Sequence, residues 1–310
     1  MPPRIVTLTV NPALDVAMEA AELRPGHKIR AHSETYDPGG GGINVSRVVH
    51  ALGGETLAIF AKAGLSGHFV EEMLTEAGVS CRPFEVAGTS RISVTVHETS
   101  TGSEYRFVPE GPKLGSSDAD GLLGLLGDLR ADWLVASGSL SVGLPVDFYG
   151  QVAKLAHRQG IRFALDTSGA PLKAALHKGI DLLKTSLSEF QSITGANTFD
   201  RASLAEEASR MVAAGAASAI ALTLGEDGAV LCDGDRQLMA PAIAVKRCSS
   251  VGAGDSFLAG LVLGMARGDS HDDALRLAIA TSGAAIVSQG TARVNLAQVN
   301  AFLAQAVEAR

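Results

Sequence analysis

In the stretch SSVGAGDSFLAGLVLG, Ser249 to Gly264, a glycine-interrupted loop from Val251 to Gly254 runs directly into an apolar segment of helical character. Backbone N–H groups from Ala253 to Ser256 are expected to project from the N-terminus of that helix as an anion hole. Asp255 stands in the first turn beside them. A carboxylate there can serve the helix as a cap or dipole partner, and it can equally accept a proton. The combination favours chemistry: charge stabilisation beside a base is what phosphoryl transfer to a hydroxyl requires.

A second glycine cluster, DPGGGGINVSRV, spans residues 37 to 48 and also precedes a helical pattern. It is neither of the common nucleotide loops. The pattern G-x-x-x-x-G-K-[ST] is missing, and G-x-G-x-x-G, counted from Gly39, fails because Asn44 occupies its last position. The expectation is close backbone approach of Gly39, Gly40, Gly41 and Gly42 to a ligand, with Asn44 making the first specific hydrogen bonds. Other reactive residue types are scattered. Cys81, Cys232 and Cys248 show no CxxC and read as small buried residues, which excludes a disulfide framework or zinc site. The histidines form no HxxxH or HxH pair, with His50 and His157 on expected helices, and Ser139 lacks the G-x-S-x-G elbow of a hydrolase.

The elements that must position these residues follow an α/β rhythm. Ile5 to Val10 reads as a strand stopped by Asn11-Pro12, followed by a helix (43–52), a strand (56–61) and a helix (68–77). DWLVAS, IRFALD, DLLKT and SAIALTL are near-continuous apolar runs separated by helical segments such as 146–158 and 204–214. Such runs imply a mostly parallel sheet with helices on both faces. Two stretches alternate instead, and these predict a small inserted β-sheet, a lid formed by about 13–37 and 89–109 within a single domain of residues 1–310. Helical runs 255–267 and 272–288 are rich in Ala and Gly, which permits close packing.

Several function classes are excluded. A net charge of −7, no Lys/Arg run and 5% aromatics provide no footprint for nucleic acid. The longest apolar stretch, Phe257 to Ala266, is about half of the roughly 20 residues a membrane span needs, and the first residues lack signal-peptide features, so a cytoplasmic location without membrane contact is expected.

GGGGINVSRVVHALGG and VGAGDSFLAG resemble the two signatures of the PfkB, or ribokinase-like, family of carbohydrate kinases. LTVNPALD, SGSL, LDTSG, TLGEDGAV and QGT follow the same family order along the chain. Within the family, KIR, YRFVPEG and the glycine loop are most similar to the ATP-dependent 6-phosphofructokinases; fructose-1-phosphate and tagatose-6-phosphate kinases more usually carry lysine where this chain has Gly41. The resemblance implies a ribokinase-like fold with a β lid, ATP and Mg²⁺ as cofactors, and a homodimer joined through the lid. It also implies roles. Asp255 is the base acting on the 1-hydroxyl of fructose 6-phosphate, and the amides of Gly252, Ala253 and Gly254 hold the phosphate in transit. Thr223, Gly225 and Gly228 contact the nucleotide. Asp15, the four glycines, Asn44 and Ser139 seat the sugar, while Lys28, Arg30 and Arg91 meet its phosphate. In KTSLSE, Lys184 and Glu189 keep the family's nucleotide and Mg²⁺ positions, but Ser186 replaces the usual asparagine, a change that bears on metal affinity and turnover.

Overall fold

Runs in which nearly every side chain is apolar have no face to offer water, and they become the central strands. The computed structural model describes residues 4–195, 200–234, 236–245, 249, 251–288 and 290–308. Its elements are β1 (Arg4–Thr9), β2 (Ala13–Ala20), β3 (Ala31–Gly39), α1 (Gly41–Ala51), β4 (Glu55–Lys62), α2 (Gly64–Glu76), β5 (Cys81–Glu85), β6 (Arg91–Glu98) and β7 (Ser103–Phe107). Then come α3 (Ser116–Gly127), β8 (Trp133–Ser137), α4 (Phe148–Arg158), β9 (Arg162–Asp166), α5 (Gly169–Ala175), β10 (Leu182–Ser186), α6 (Leu187–Thr194), α7 (Arg201–Ala213) and β11 (Ala219–Thr223). The chain continues through β12 (Ala229–Asp233), β13 (Arg236–Ala240), α8 (Ala253–Arg267), α9 (His271–Ile286) and α10 (Leu296–Glu308).

The main sheet has the order β13-β12-β11-β10-β9-β8-β1-β4-β5 and is parallel except at β12, which pairs antiparallel with both β11 and β13. One apolar layer, including Phe148, Val152, Phe163, Phe190 and Leu204, lies on one side of it. A second layer, including Val45, Phe257, Leu261, Ala278 and Val299, covers the other. The small residues of α8 and α9 act as expected: a Cβ on Gly260 would lie 2.9 Å from Ala278 Cα, and one on Gly264 2.8 Å from Ala274 Cβ. The fold is therefore the expected α/β layering with a second small sheet.

That small sheet has the order β3-β2-β6-β7. Its two hairpins are joined by parallel pairing of β2 with β6, which sets Asp15 opposite Ser93. Alternation gives each strand two faces. Leu14 and Val16 pack with Ile43, Val70 and Leu74, whereas Asp15, Ser93 and Arg106 turn to the end of the main sheet. Cys232 is buried and Cys81 half-buried, both free thiols; Cys248, and Gln289 of the QGT motif, lie outside the described residues.

Candidate active site

Parallel strands deliver their C-terminal residues to one edge of the sheet, the usual place for a ligand in an open α/β fold. Ser137 and Asp166 end β8 and β9, and Lys184 lies near the end of β10. With Asp15, Asn44, Glu189 and Asp255 they line a polar cleft of about 290 Å³ beneath the small sheet. Asp255 Oδ2 accepts a 2.8 Å hydrogen bond from Asn44 Nδ2, and Oδ1 lies 3.4 Å from the Ser137 hydroxyl that donates to it. Burial, reinforced by the negative charge of Asp166, pushes the Asp255 carboxyl up to about 6; Asn44, Lys184 and Ser137 oppose the rise. Lys184 Nζ is 3.1 Å from Asp166 Oδ2. Burial alone would favour neutral lysine, but Asp166 and Asp255 outweigh it and hold the ammonium above its ordinary range.

The helix N-terminus leaves one amide fewer outside the ladder than the sequence suggests. Gly252 caps α8 in the left-handed region (φ 79°), where a Cβ would also come within 2.6 Å of Ala292 Cβ. Ser256 N donates to Gly252 O at 2.9 Å, so it belongs to the helix ladder. The amides of Ala253, Gly254 and Asp255 precede the first ladder bond and have no intrahelical acceptor. Gly252 and Asp255 border the polar cleft, while Ala253 and Gly254 border a larger, more apolar cavity of about 830 Å³. The loop is thus the wall shared by two ligand spaces.

Thr223, Gly225 and Gly228 line the larger cavity with Phe257, Ile279 and Ser282. Ser186 lines neither space. Its hydroxyl caps α6, accepting from Glu189 N at 3.4 Å and donating to Glu189 Oε2 at 2.7 Å, because a short hydroxyl at the start of a helix satisfies the helix first. Glu189 remains on the cleft wall. Among the described residues, no three His, Cys, Asp or Glu side chains gather as a metal site. Glu189 with Asp166 nearby still fits Mg²⁺, which keeps several waters and uses one or two carboxylates plus substrate phosphates.

On the sugar side, Gly40, Gly41, Asn44, Arg91 and Ser139 line the cleft with Asp15. Burial raises the Asp15 carboxyl, against Thr291 and the charge of Arg106. Arg91 already donates to Asn11 O (3.1 Å) and Pro109 O (3.3 Å), with its Nε buried and unpartnered. The protein itself hems in these glycines. A Cβ on Gly39 would strike the Asp15 carboxylate, on Gly41 the Ser137 hydroxyl, and on Gly42 Thr9 Oγ1 and Leu8 O. Protein atoms thus already exclude a side chain there, and Gly41 and Gly42 are helical. Lys28 and Arg30 are exposed in the connection between β2 and β3 and line no part of the cleft within this chain. β2 runs away from Asp15, so its far end lies about 16 Å off at 3.3 Å per residue.

Among the cleft residues that the sequence reading does not assign are Arg106, Ser137 and Asp166. Arg106 was legible through alternation, since it pairs with Thr95 on the face that carries Ser93. Ser137 and Asp166, each closing an apolar strand, were legible as polar residues at strand ends.

Against known proteins, residues 10–297 match the model of the pfkB family carbohydrate kinases. The chain is 37% identical to the ATP-dependent 6-phosphofructokinase isozyme 2 of Mycobacterium tuberculosis, over 99% of this chain and 91% of that protein. It is 34% identical to a 1-phosphofructokinase of Xanthomonas campestris, over 83% and 82%. Phosphofructokinase-2 of Escherichia coli, solved with substrates and products, superposes with a TM-score of 0.94 at 31% identity, covering 98% of this chain and 99% of that one. A tetrameric inhibited form of the same enzyme superposes at 0.92. The chain belongs to the pfkB family of carbohydrate kinases.

Proposed function

We propose that the protein transfers the γ-phosphoryl group of ATP to the 1-hydroxyl of fructose 6-phosphate, giving fructose 1,6-bisphosphate. The carrying observation is the position of Asp255, at the wall between the polar cleft and the larger cavity and beside three amides free of the helix ladder. In this reading Asp255 takes the proton as the sugar oxygen bonds to phosphorus and the bond to the ADP oxygen breaks. The amides of Ala253, Gly254 and Asp255 hold the charge in transit. Asp15 and Asn44 orient the sugar, while Arg91 and Arg106 suit its phosphate dianion. Glu189, with Asp166, would hold Mg²⁺, which neutralises phosphate charge when bound.

ADP release, measured with ATP, Mg²⁺ and a panel of fructose 6-phosphate, fructose 1-phosphate and tagatose 6-phosphate, tests the reading. The highest kcat/KM is expected with fructose 6-phosphate; another order overturns the substrate. The similarity to the Xanthomonas campestris enzyme supports a second reading, transfer to fructose 1-phosphate, and the panel separates the two. Against it stands Gly41, where the Ser137 hydroxyl leaves no room for a lysine side chain.

Beyond the part packed on Ile43, Val70 and Leu74, the face of the small sheet that carries Leu14 and Val16 leaves Ile92, Tyr105 and Phe107 exposed at 44%, 42% and 58%. A contiguous apolar patch of this kind fits a second copy of the chain, and a homodimer through the lid is part of this proposal. Light scattering is expected to give twice the chain mass, and Phe107→Glu to shift it to the monomer. No helix among the described residues is long and apolar enough to cross a membrane.

A further inference from the structure

Arg47, on α1, ties its own helix to β3 and to the segment at Thr291. Its Nη2 donates to Asp37 Oδ1 in β3 at 3.0 Å, and its Nη1 reaches Pro38 O at 3.2 Å, Thr291 O at 2.9 Å and Asn44 Oδ1 at 3.3 Å. Asp37, only 4% exposed, is itself fixed by Thr291 N at 3.0 Å and Arg293 Nε at 3.0 Å. An amide side chain has one acceptor end and one donor end. Holding Asn44 by its oxygen therefore leaves its nitrogen pointing the other way, where Nδ2 donates to Asp255. The segment that Arg47 and Asp37 grip at Thr291 continues to Ala292, which packs against Gly252 at the mouth of the anion hole.

We propose that Arg47, anchored by Asp37, is a positioning residue for the transfer step: it fixes the orientation of the Asn44 amide, and through it the Asp255 carboxylate. The proposal rests on Asp255 acting as the base. Arg47 touches neither ligand space, so its effect must travel through Asn44. A cation that only stabilised the fold would act on melting temperature and leave the base unchanged.

The test compares Arg47→Met, Asn44→Ala and the double variant. Arg47→Met is expected to lower kcat roughly ten- to hundredfold, as small misplacements of reacting groups do, with the KM for ATP within about twofold of the parent. Freed from Arg47, the amide loses its aim, and the acid limb of the kcat profile moves to higher pH because the Asn44 bond favours the ionised carboxylate. Ser137, Asp166 and Lys184 also face Asp255, from β8, β9 and β10, and they stay in place in every variant. The double variant is expected to be no worse than Asn44→Ala. Additive losses, or an unshifted acid limb, overturn the proposal. Arg47→Lys keeps the charge but cannot reach all four acceptors, and it is expected to change kcat and the pH limb in the same direction should the methionine variant not fold. A readout without turnover separates this from the base assignment: the side-chain amide resonance of Asn44 in ¹⁵N-labelled protein is expected to titrate near pH 6 and higher in Arg47→Met. If that resonance behaves as expected while Asp255→Asn keeps its activity, the positioning stands and the catalytic reading falls; a resonance that titrates identically in both proteins overturns the positioning itself.

Discussion

Helices α1 and α8 both begin at a glycine with positive φ, 108° at Gly40 and 79° at Gly252, and neither has a side-chain cap from that residue. Their chemical roles nevertheless diverge. At α1 the protein occupies the N-terminus itself: Thr9 Oγ1 accepts from Ile43 N at 2.8 Å, and Asp15, Ser137 and Leu8 crowd the neighbouring glycines. At α8 the first amides open onto two ligand spaces, and an acid stands among them. A run of glycines before a helix is therefore poor evidence of a phosphate site; amides that nothing in the protein claims are better evidence. Breaking the α8 terminus should cost chemistry, and breaking α1 should cost sugar fit or stability.

The largest effect is expected from Asp255→Asn, which removes the base while preserving shape. Its kcat should fall by 10²-fold or more, with ATP affinity retained, in steady-state assays and nucleotide titrations. In the parent, kcat/KM should rise with pH through about 6 as Asp255 ionises. The same carboxyl costs the fold something. Its folded value of about 6 lies above the ordinary 3.8, so bearing charge is unfavourable above pH 6 and costs nothing below pH 3.8. Asp255→Asn should therefore be more stable than the parent by on the order of 2 kcal/mol at pH 8, a gain that closes toward pH 4 in denaturant titrations.

Next in size are the two glycine helices set against each other. Gly252→Ala puts a methyl against Ala292 at a positive φ and should shift the spare amides, lowering kcat roughly tenfold while destabilising the fold by about 1 kcal/mol. Gly41→Ala meets the Ser137 hydroxyl instead, and it should raise the KM for the sugar phosphate with little change in the KM for ATP. A reversal of these two patterns would dissolve the distinction between the helices.

Much of this contrast was legible before any coordinates. The α8 loop and Asp255 were found because helix-terminal chemistry is local: a few neighbouring residues define it. The sheet order was legible as a class, since buried parallel strands carry near-continuous apolar runs such as WLVAS and LLKTS. What escaped was long-range. The parallel pairing of β2 with β6 joins segments more than 70 residues apart, and no periodicity reports a partner. For the same reason the sequence alone does not show that Asp15, Thr9 and Ser137 close in on the glycines at 39 to 42. Lys28 and Arg30 suit a sugar phosphate by charge type, but within this chain the direction of β2 carries them away from the cleft.

A third helix N-terminus completes the series and gives the smallest expected effect. α6 starts at Ser186, which caps it with its own hydroxyl and forms a reciprocal box with Glu189. Its N-terminal amides are thus partly claimed, as at α1, but by the helix's own residue. Ser186→Ala removes the cap and should cost about 1 kcal/mol in denaturant titrations. It should leave kcat within about threefold of the parent, because Ser186 borders neither ligand space and Glu189 still receives the Ser186 backbone N–H at 2.8 Å. Ser186→Asn restores the residue type usual in related kinases and keeps a good cap, so the fold should be unaffected. A gain in kcat or in Mg²⁺ affinity for that variant alone would show that the amide reaches the phosphates in a way the hydroxyl does not. Equal activity of the serine and asparagine forms would instead mean that helix capping is the main service either residue performs at this terminus.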